Sequence, residues 1–336
     1  MAAPAGPISS RVGLLDRWQN AQIAYVAGQM GPPMPLLKRG VLSYIDLHVN
    51  GTLAGNQAAG AAAMTFNGFG PWGLIGQAQI DVGANTKFNA SVGGYDLMVR
   101  ELYRHPAYTA TYSAPLPGAN GGTQAVPYSE PWSWRQRLPI TVDENDLTGL
   151  ILLARQDAET TVLLNWRDVT SILNVPAGST AAFTGQANIE AYGYGTGKLQ
   201  PADLALAHVL LQVPVTIPAQ SEVMVPLLLN RQLQALYMIP YVGGVPDTTG
   251  QIQVAKVTLQ HGDRRPEVFS AGALQFGDQL HARGNVPPGV LVLDRMRNRP
   301  TQYLDLFNVN QAFITLDFSA APPAGSTFNF LYEYLR

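Results

Sequence analysis

The N-terminal segment carries apolar side chains at the spacing of a helix. From Ser9 to Met30 these side chains recur so that they share one face of an α-helix. A serine can cap the start of this helix, and Gly31-Pro32-Pro33 would end it. We predict a helical arm over residues 1–36 that packs on its own domain or docks on a neighbouring subunit or a membrane surface. The arm residues expected to make these contacts are Val12, Leu15, Trp18, Ile23 and Val26.

Beyond Pro35 the pattern changes to the alternation that is typical of β-strands. Val41 to Val49 alternates apolar and polar side chains for most of its length and ends in the turn pair Asn50-Gly51. Similar segments follow, and clusters of turn residues separate nearly all of them. They span residues 73–82, 97–103, 148–153, 160–166, 187–194, 207–215, 222–229, 235–241, 251–260, 290–293, 302–307, 312–318 and 328–334.

These strands are too many for a single sandwich of about eight strands, and no helices alternate with them. The pattern therefore predicts an all-β chain of two sandwiches in tandem. We expect the first sandwich over 37–205 and the second over 206–336. Two polar stretches, 108–131 and 261–288, are predicted to be long loops of the kind that forms an exposed tip or contacts a partner.

Composition adds that the folded surface is thinly charged. The chain has 336 residues, of which 21 are Lys or Arg and 23 are Asp or Glu, and its net charge is −2. Charged residues make up 13%, about half the usual share. A surface with so few charges suits a subunit that is covered by neighbours better than a free monomer. The near-neutral charge argues against binding nucleic acid by bulk electrostatics.

The composition also narrows the chemistry and the location. There is no cysteine, which excludes disulfides, thiolate catalysis and iron–sulfur ligation. The N-terminus has no basic region followed by an apolar core, and no window has the roughly 18 apolar residues of a membrane span. We therefore expect a chain that stays in the cytoplasm in which it is made and has no secretion signal.

No set of residues predicts catalysis or a cofactor. Gly68 to Gly73 matches G-x-G-x-x-G in form, but Pro71 lacks the backbone N–H that a pyrophosphate would need, and a strand follows instead of a helix. The histidines are scattered, and no nucleophile, base and orienting group can be named together. We expect no enzyme activity, no cofactor and no metal site.

Two clusters are candidates for contacts between subunits. Arg295, Arg297 and Arg299 form a basic cluster whose charge nearby aspartates largely offset, which favours ion pairs between subunits over binding of nucleic acid. Trp132 and Trp134 could serve as apolar anchors at an interface. Together with Tyr128 they could instead stack on a sugar ring, so a glycan-binding protein remains an alternative.

Three runs of the sequence together resemble one protein family. Phe69-Gly70-Pro71 with Leu74-Ile75 is the first, and Glu144 to Leu152, which contains Asp-Leu-Thr-Gly, is the second. The third comprises the Gly289-Val290 run, Asp294, Pro300 and the terminal Tyr332-Glu333-Tyr334. In order and content these runs are similar to the major capsid proteins of tectiviruses, the membrane-containing tailless bacteriophages that share the double jelly roll of adenovirus hexon.

The resemblance implies a viral structural protein. The expected fold is two eight-stranded jelly rolls in tandem, preceded by the helical arm. The expected assembly is a pseudo-hexagonal homotrimer that tiles an icosahedral shell over an internal membrane. Its partners would be other copies of itself, penton or minor coat proteins and that membrane, with no sequence-specific nucleic acid. The alternative is a glycan-binding β-sandwich protein, such as a phage spike or a surface lectin.

Overall fold

The computed structural model describes the chain from residue 15 to residue 335, with gaps. The described residues are 15–82, 86–105, 112–141, 149, 151–153, 159–195, 207–282, 286–295, 303–307 and 309–335. The chain divides into two compact units. Unit 1 comprises residues 1–98 and 110–207, and unit 2 comprises residues 99–109 and 208–336. The change from unit 1 to unit 2 after residue 207 lies close to the predicted boundary between two sandwiches, whereas the inclusion of 99–109 in unit 2 was not predicted.

Unit 1 is built almost entirely of strands. In chain order these are β1 (Leu15–Ala24), β2 (Met34–Pro35), β3 (Val41–Gln57), β4 (Thr65–Phe66), β5 (Ile75–Val82), β6 (Thr86–Val92), β7 (Tyr112–Ser113), β8 (Val126–Pro139), β9 (Ile151–Leu152), β10 (Thr160–Trp166), β11 (Leu173–Asn174) and β12 (Ala182–Tyr194). Helix α1 (Gly94–Arg104) begins in unit 1 and ends in the 99–109 segment of unit 2. Two short 3-10 helices cover Pro71–Leu74 and Val169–Ser171.

The larger sheet of unit 1 has the order β1-β12-β3-β8-β7, and β9 also pairs with β3. All of these pairings are antiparallel. Along β3 the side chains of Ile45, Leu47 and Val49 are buried and point to one face. The opposite face carries polar side chains. Elsewhere in unit 1, strands β2, β10, β5 and β6 pair in that order, and β4 pairs with β11.

Unit 2 contains the remaining strands and the second helix. These are β13 (His208–Thr216), β14 (Glu222–Pro226), β15 (Gln232–Val242), β16 (Val245–Pro246), β17 (Val254–His261), β18 (Glu267–Ser270), α2 (Ala271–His281), β19 (Leu291–Asp294), β20 (Leu304–Asp305), β21 (Ala312–Phe318) and β22 (Ser326–Leu335). One set of strands pairs as β13-β22-β15, with β16, β19 and β20 also on β15, and the second set pairs as β14-β21-β17-β18. Tyr237, Met238 and Ile239 of β15 are fully buried, so this strand lies in the core of unit 2.

The N-terminal segment is a strand, which corrects the predicted helix. β1 pairs antiparallel with β12 over Leu15 to Ala24, with an irregularity between Trp18 and Ala21. Short apolar runs are compatible with either a helix or a strand, and here the free edge of β12 supplies backbone partners that decide for a strand. The described part of the segment is therefore part of a unit 1 sheet.

Two further predictions are wrong for the same kind of reason. Residues 97–103 lie in helix α1 instead of a strand, although the run is apolar enough for either. The stretch 261–288 contains β18 and α2 instead of one long loop. Ser270 caps α2 because its hydroxyl oxygen accepts a hydrogen bond from the N–H of Ala273 at 3.1 Å. Among the described helices, none has the length and apolar character to cross a membrane.

Candidate functional site

The most extensive set of buried charges in the described part of the chain surrounds Glu333 of β22. Its carboxylate accepts hydrogen bonds from Arg100 Nη2 at 2.6 Å, Arg104 Nη2 at 2.7 Å and the hydroxyl of Tyr237 at 3.1 Å. Nε2 of His208 lies 3.0 Å from Oε1, the same oxygen that Arg100 contacts. We call these five residues the Glu333 cluster. All of them belong to unit 2, because the arginines lie in its 99–109 segment.

Two more acids bind the arginines of the Glu333 cluster. Arg104 Nη1 lies 3.0 Å from Asp294 Oδ2, and Arg100 forms an ion pair with Glu101. Burial alone would raise the pKa of Glu333, but Arg100 and Arg104 hold that pKa well below its ordinary value. Glu333 therefore stays ionised and paired with the two arginines at neutral pH.

This arrangement ties helix α1 to the strands of unit 2. Each carboxylate oxygen of Glu333 is bound by one arginine of helix α1 and by one side chain from a strand. Both oxygens are therefore occupied by groups of the protein itself. The sequence pattern does not predict the cluster. It places Arg100 in a strand, and it uses Glu333 only as the middle residue of Tyr-Glu-Tyr. A signal existed: a glutamate inside an otherwise apolar strand must find a partner when it is buried.

A second polar network covers the outer face of the large sheet in unit 1. Asp46 is fully buried and binds both Arg135 and Arg137, the latter with Nε 3.2 Å from Oδ1. The guanidinium of Arg137 lies 3.9 Å from the centre of the Tyr44 ring, which stacks on Tyr192 at 4.7 Å. Cation–π contact and stacking thus shield an ion pair that lies on the polar face of the sheet.

Glu190 extends this network to strand β1. Its carboxylate lies 3.2 Å from Arg17 Nη1 and 3.2 Å from His48 Nε2, and it accepts a hydrogen bond from the Tyr192 hydroxyl at 2.9 Å. Arg17 is 64% exposed, which makes this the solvated end of the network. These contacts add side-chain support to the backbone pairing between β1 and β12.

The predicted arm residues divide into distinct environments. Val12 lies outside the described residues, and Leu15 and Trp18 lie in β1. Ile23 is fully buried, whereas Val26 is 41% exposed. The burial of Ile23 makes it a core residue of unit 1, as the alternative of packing on its own domain requires.

Tyr25, directly after β1, shows how the segment is anchored. Its ring packs edge-on against Trp166 at 5.6 Å and Phe183 at 5.1 Å. Its hydroxyl donates to the carbonyl of Arg167 at 3.0 Å and accepts from the N–H of Val169 at 3.1 Å. Burial raises the pKa of Tyr25 to about 12. The segment after β1 is therefore packed into the unit.

The two tryptophans predicted as interface anchors are interior residues. Trp132 is 1% exposed and Trp134 is 2% exposed. Their rings lie 6.3 Å apart, both pack near Phe183, and Trp132 Nε1 donates to the carbonyl of Pro115 at 2.9 Å. Side chains buried within their own chain cannot contact a neighbouring subunit or stack on a sugar. The predicted anchors and the stacking platform with Tyr128 are therefore wrong.

Only one of the predicted arginine contacts can be placed. Arg295 forms two hydrogen bonds of 2.9 Å to the carboxylate of Glu267, both within unit 2. These hydrogen bonds hold the pKa of Glu267 below its ordinary value. Arg297 and Arg299 lie outside the described residues. The described arginine of the cluster is thus paired within its own chain.

The glycine-rich run has the geometry of a turn. Gly70 has φ of 59°, and the 3-10 helix that follows leads directly into β5. A side chain at Gly73 would lie 2.4 Å from Cβ of Phe69, so close packing accounts for that glycine. Within the described residues, no group of three or more acidic or histidine side chains could hold a metal ion.

No protein-family model and no curated protein matches the chain. Solved structures do match it over nearly its full length. The major capsid protein of Sulfolobus Turreted Icosahedral Virus is 14% identical, with 96% of this chain and 97% of that chain covered at a TM-score of 0.69. The PBCV-1 virus capsid is 12% identical, with 96% and 93% covered at a TM-score of 0.62.

The major capsid protein of bacteriophage PM2 extends this likeness to a third virus. It is 8% identical to this chain, with 94% of this chain and 97% of that chain covered at a TM-score of 0.55. These identities are low, so the likeness lies in the fold, and it agrees with the two β-units described above. The prediction of two jelly rolls in tandem is confirmed. The chain has the double jelly-roll fold of viral major capsid proteins.

Proposed function

We propose that this chain is the major capsid protein of a virus and acts by assembling into the virion shell. The observation that carries this proposal is the match over nearly the full length of both chains. A single known capsid subunit aligns with both units of this chain, and 97% of that subunit is covered. The composition supports it, since a surface with 13% charged residues suits a chain largely covered by neighbours. The function then depends on contacts between subunits and needs no catalytic residue.

The proposed assembly is a homotrimer with a pseudo-hexagonal outline. Each chain contributes two similar β-units, so three chains present six similar sides to the neighbouring capsomers. Such capsomers can tile an icosahedral shell, which we place over an internal membrane. Other copies of the chain, penton or minor coat proteins and that membrane are the proposed partners, without sequence-specific binding of nucleic acid. The chain would be made in the host cytoplasm.

Native mass determination of the purified protein tests the assembly. We expect a species of three chains at micromolar concentration in sedimentation velocity and native mass spectrometry. Electron microscopy of the same sample should show capsomers with a hexagonal outline. A monomer that forms no trimer at any salt concentration would contradict the proposal.

A further inference from the structure

Two neighbouring cavities in unit 2 lie beside the turn that joins β17 to β18. The larger has a volume of about 470 Å³, and the smaller has a volume of about 250 Å³. His261 and Arg264 line both of them, so the two cavities adjoin. The larger one alone is within the usual size of a ligand pocket, about 300–1,000 Å³. We call the two cavities together the β17–β18 groove.

The walls of the β17–β18 groove are built on the strands of unit 2. His261 is the last residue of β17 and is 5% exposed. The N–H of Gly262 donates to the carbonyl of Gln311 at 2.9 Å, which joins two segments that line the larger cavity. At the smaller cavity, Arg295 forms two hydrogen bonds of 2.9 Å to Glu267 of β18. These hydrogen bonds preform the groove.

The two cavities differ in the sign of their charge, with histidine counted as neutral. Asp263 and Asp305 line the larger cavity together with Arg264, so its described lining has one negative charge in excess. Arg264 and Arg295 line the smaller cavity together with the single acid Glu267, which leaves one positive charge in excess. The charge thus changes sign along the groove, with Arg264 at the boundary.

The charged groups that set these signs are open to a ligand. Arg264 and Asp263 are exposed, and no hydrogen bond or ion pair joins either of them to another residue in the described part of the chain. Asp305 is also exposed, and its Oδ1 accepts a hydrogen bond from the N–H of Phe307 at 3.0 Å. Its second carboxylate oxygen is therefore left for a ligand.

This distribution of charge selects the chemical class of the ligand. A simple anion would be repelled by Asp263 and Asp305, and a simple cation would be repelled by Arg264. A zwitterion satisfies both cavities, because guanidinium groups bind phosphate and carboxylates bind ammonium. Since the two signs prevail in separate cavities, the two groups of the ligand must be separated by a linker. An aminoalkyl phosphate has such a linker, and an α-amino acid does not.

We infer that the β17–β18 groove binds a small zwitterion in which a short linker joins a phosphate to an ammonium group. Phosphoethanolamine is the simplest such compound, and it occurs both free in solution and as the head group of phosphatidylethanolamine. Its phosphate accepts hydrogen bonds from Arg264 in the smaller cavity, and its ammonium donates to Asp305 in the larger one. The inference goes beyond the proposed function and does not depend on it, because the described lining of the groove belongs to unit 2 of one chain.

Isothermal titration calorimetry of the purified full chain with soluble phosphoethanolamine tests the site. We expect phosphoethanolamine to bind at least about tenfold more tightly than either inorganic phosphate or ethanolamine, because only the complete zwitterion engages both cavities. An affinity for phosphoethanolamine no higher than that for inorganic phosphate would overturn the inference.

Two variants separate the two halves of the groove. Arg264→Gln should weaken phosphoethanolamine binding at least about tenfold without weakening ethanolamine binding. Asp305→Asn should weaken phosphoethanolamine binding to a similar extent without weakening inorganic phosphate binding, and its amide oxygen can still accept from the N–H of Phe307. Far-UV circular dichroism checks that both variants are folded.

Arg265→Gln is the matched control for Arg264→Gln. Arg265 is the next residue of the same turn and is exposed, but it lines neither cavity. We expect Arg265→Gln to bind phosphoethanolamine as the wild type does. Equal losses in the two variants would reduce the effect to the general charge of the surface and would overturn the inference.

Vesicles distinguish the two sources of the zwitterion. The chain is sedimented with phosphatidylcholine vesicles that contain or lack phosphatidylethanolamine, because the quaternary ammonium of phosphatidylcholine has no N–H to donate to Asp305. Binding that requires phosphatidylethanolamine and is lost in Arg264→Gln supports the site with a lipid head group as its ligand. Binding of soluble phosphoethanolamine without binding of vesicles supports the site with a free compound as its ligand. Binding of neither overturns the inference and leaves the capsid function, which the trimer measurement tests, standing.

Discussion

At the scale of single residues, the chain concentrates its strongest electrostatic interactions where water is absent. Glu333 and Arg100 have side chains that are 0% exposed, and their attraction is not weakened by solvent. The Glu190 network has similar partners, but Arg17 is 64% exposed. The same kinds of charge should therefore contribute differently to stability in the two places.

Replacing Glu333 by Gln should destabilise unit 2 by about 3–5 kcal/mol, because two buried arginines lose their shared counter-charge. Glu190→Gln is the control and should cost at most about 1 kcal/mol, since its arginine partner is solvated. Hydrogen exchange measured by mass spectrometry, at peptides of unit 2 and of unit 1, reports each effect separately. Equal protection in wild-type and Glu333→Gln peptides of β15 and β22 would contradict the prediction.

The pH dependence of this stability follows from the depressed pKa of Glu333. A group whose pKa is lowered on folding contributes stability above its unfolded pKa, which is about 4.3 for Glu. That contribution is lost as the pH falls through the lower pKa of the folded state. The difference in unfolding free energy between wild type and Glu333→Gln should thus be constant above about pH 5 and shrink below about pH 4. A difference that grows on acidification would contradict the assignment.

At the scale of elements, the decisive feature is the strand β1 at the edge of β12. Apolar spacing alone predicts a helix here, since Ile23 and its neighbours satisfy a helical stripe. The local pattern contains no information about strand β12, which lies more than 150 residues away in the chain. The edge of β12 pairs with β1 and places Ile23 opposite Ala187. The same reason applies to α1, because the acids Glu333 and Asp294 that bind its arginines lie in distant strands.

Ile23→Ala should therefore lower the stability of unit 1 by about 2–5 kcal/mol, because it leaves a cavity in the core. Val26→Ala is the matched control and should change the stability by no more than about 0.5 kcal/mol, since Val26 is 41% exposed. Tryptophan fluorescence during urea unfolding reports unit 1, because all five tryptophans lie in it: Trp18, Trp72, Trp132, Trp134 and Trp166. Equal midpoints for the two variants would show that Ile23 is not a core residue.

At the scale of the whole molecule, the sequence was most informative about fold class and least informative about contacts. Alternation and turn residues predicted most strands, and the three family-like runs predicted two jelly rolls. Contacts are harder to predict for a physical reason: Trp132 and Trp134 have the chemistry of interface residues, but the chain buries both of them in its own core. Phe276 and Leu280, which are 73% and 74% exposed, lie inside a stretch predicted as a loop, so the pattern does not predict that they share a helix.

The sparse charge of the molecule leads to a prediction about how the proposed trimer responds to salt. Because a chain with 13% charged residues offers few ion pairs between subunits, the dissociation constant of the proposed trimer should change less than about threefold between 0.1 and 1 M NaCl. Sedimentation equilibrium at the two salt concentrations measures it. Dissociation at 1 M NaCl would instead show that ion pairs between chains hold the trimer.

The long separation between Arg100 and Glu333 has a consequence for the order in which the chain matures. The two residues lie 233 positions apart, so α1 leaves the ribosome long before β22 has been translated. Until then its arginines have no Glu333 to bind, and the core of unit 2 is incomplete. A chain that is terminated before β22 lacks Glu333, so Arg100 and Arg104 would be left without that counter-charge in an incomplete unit 2.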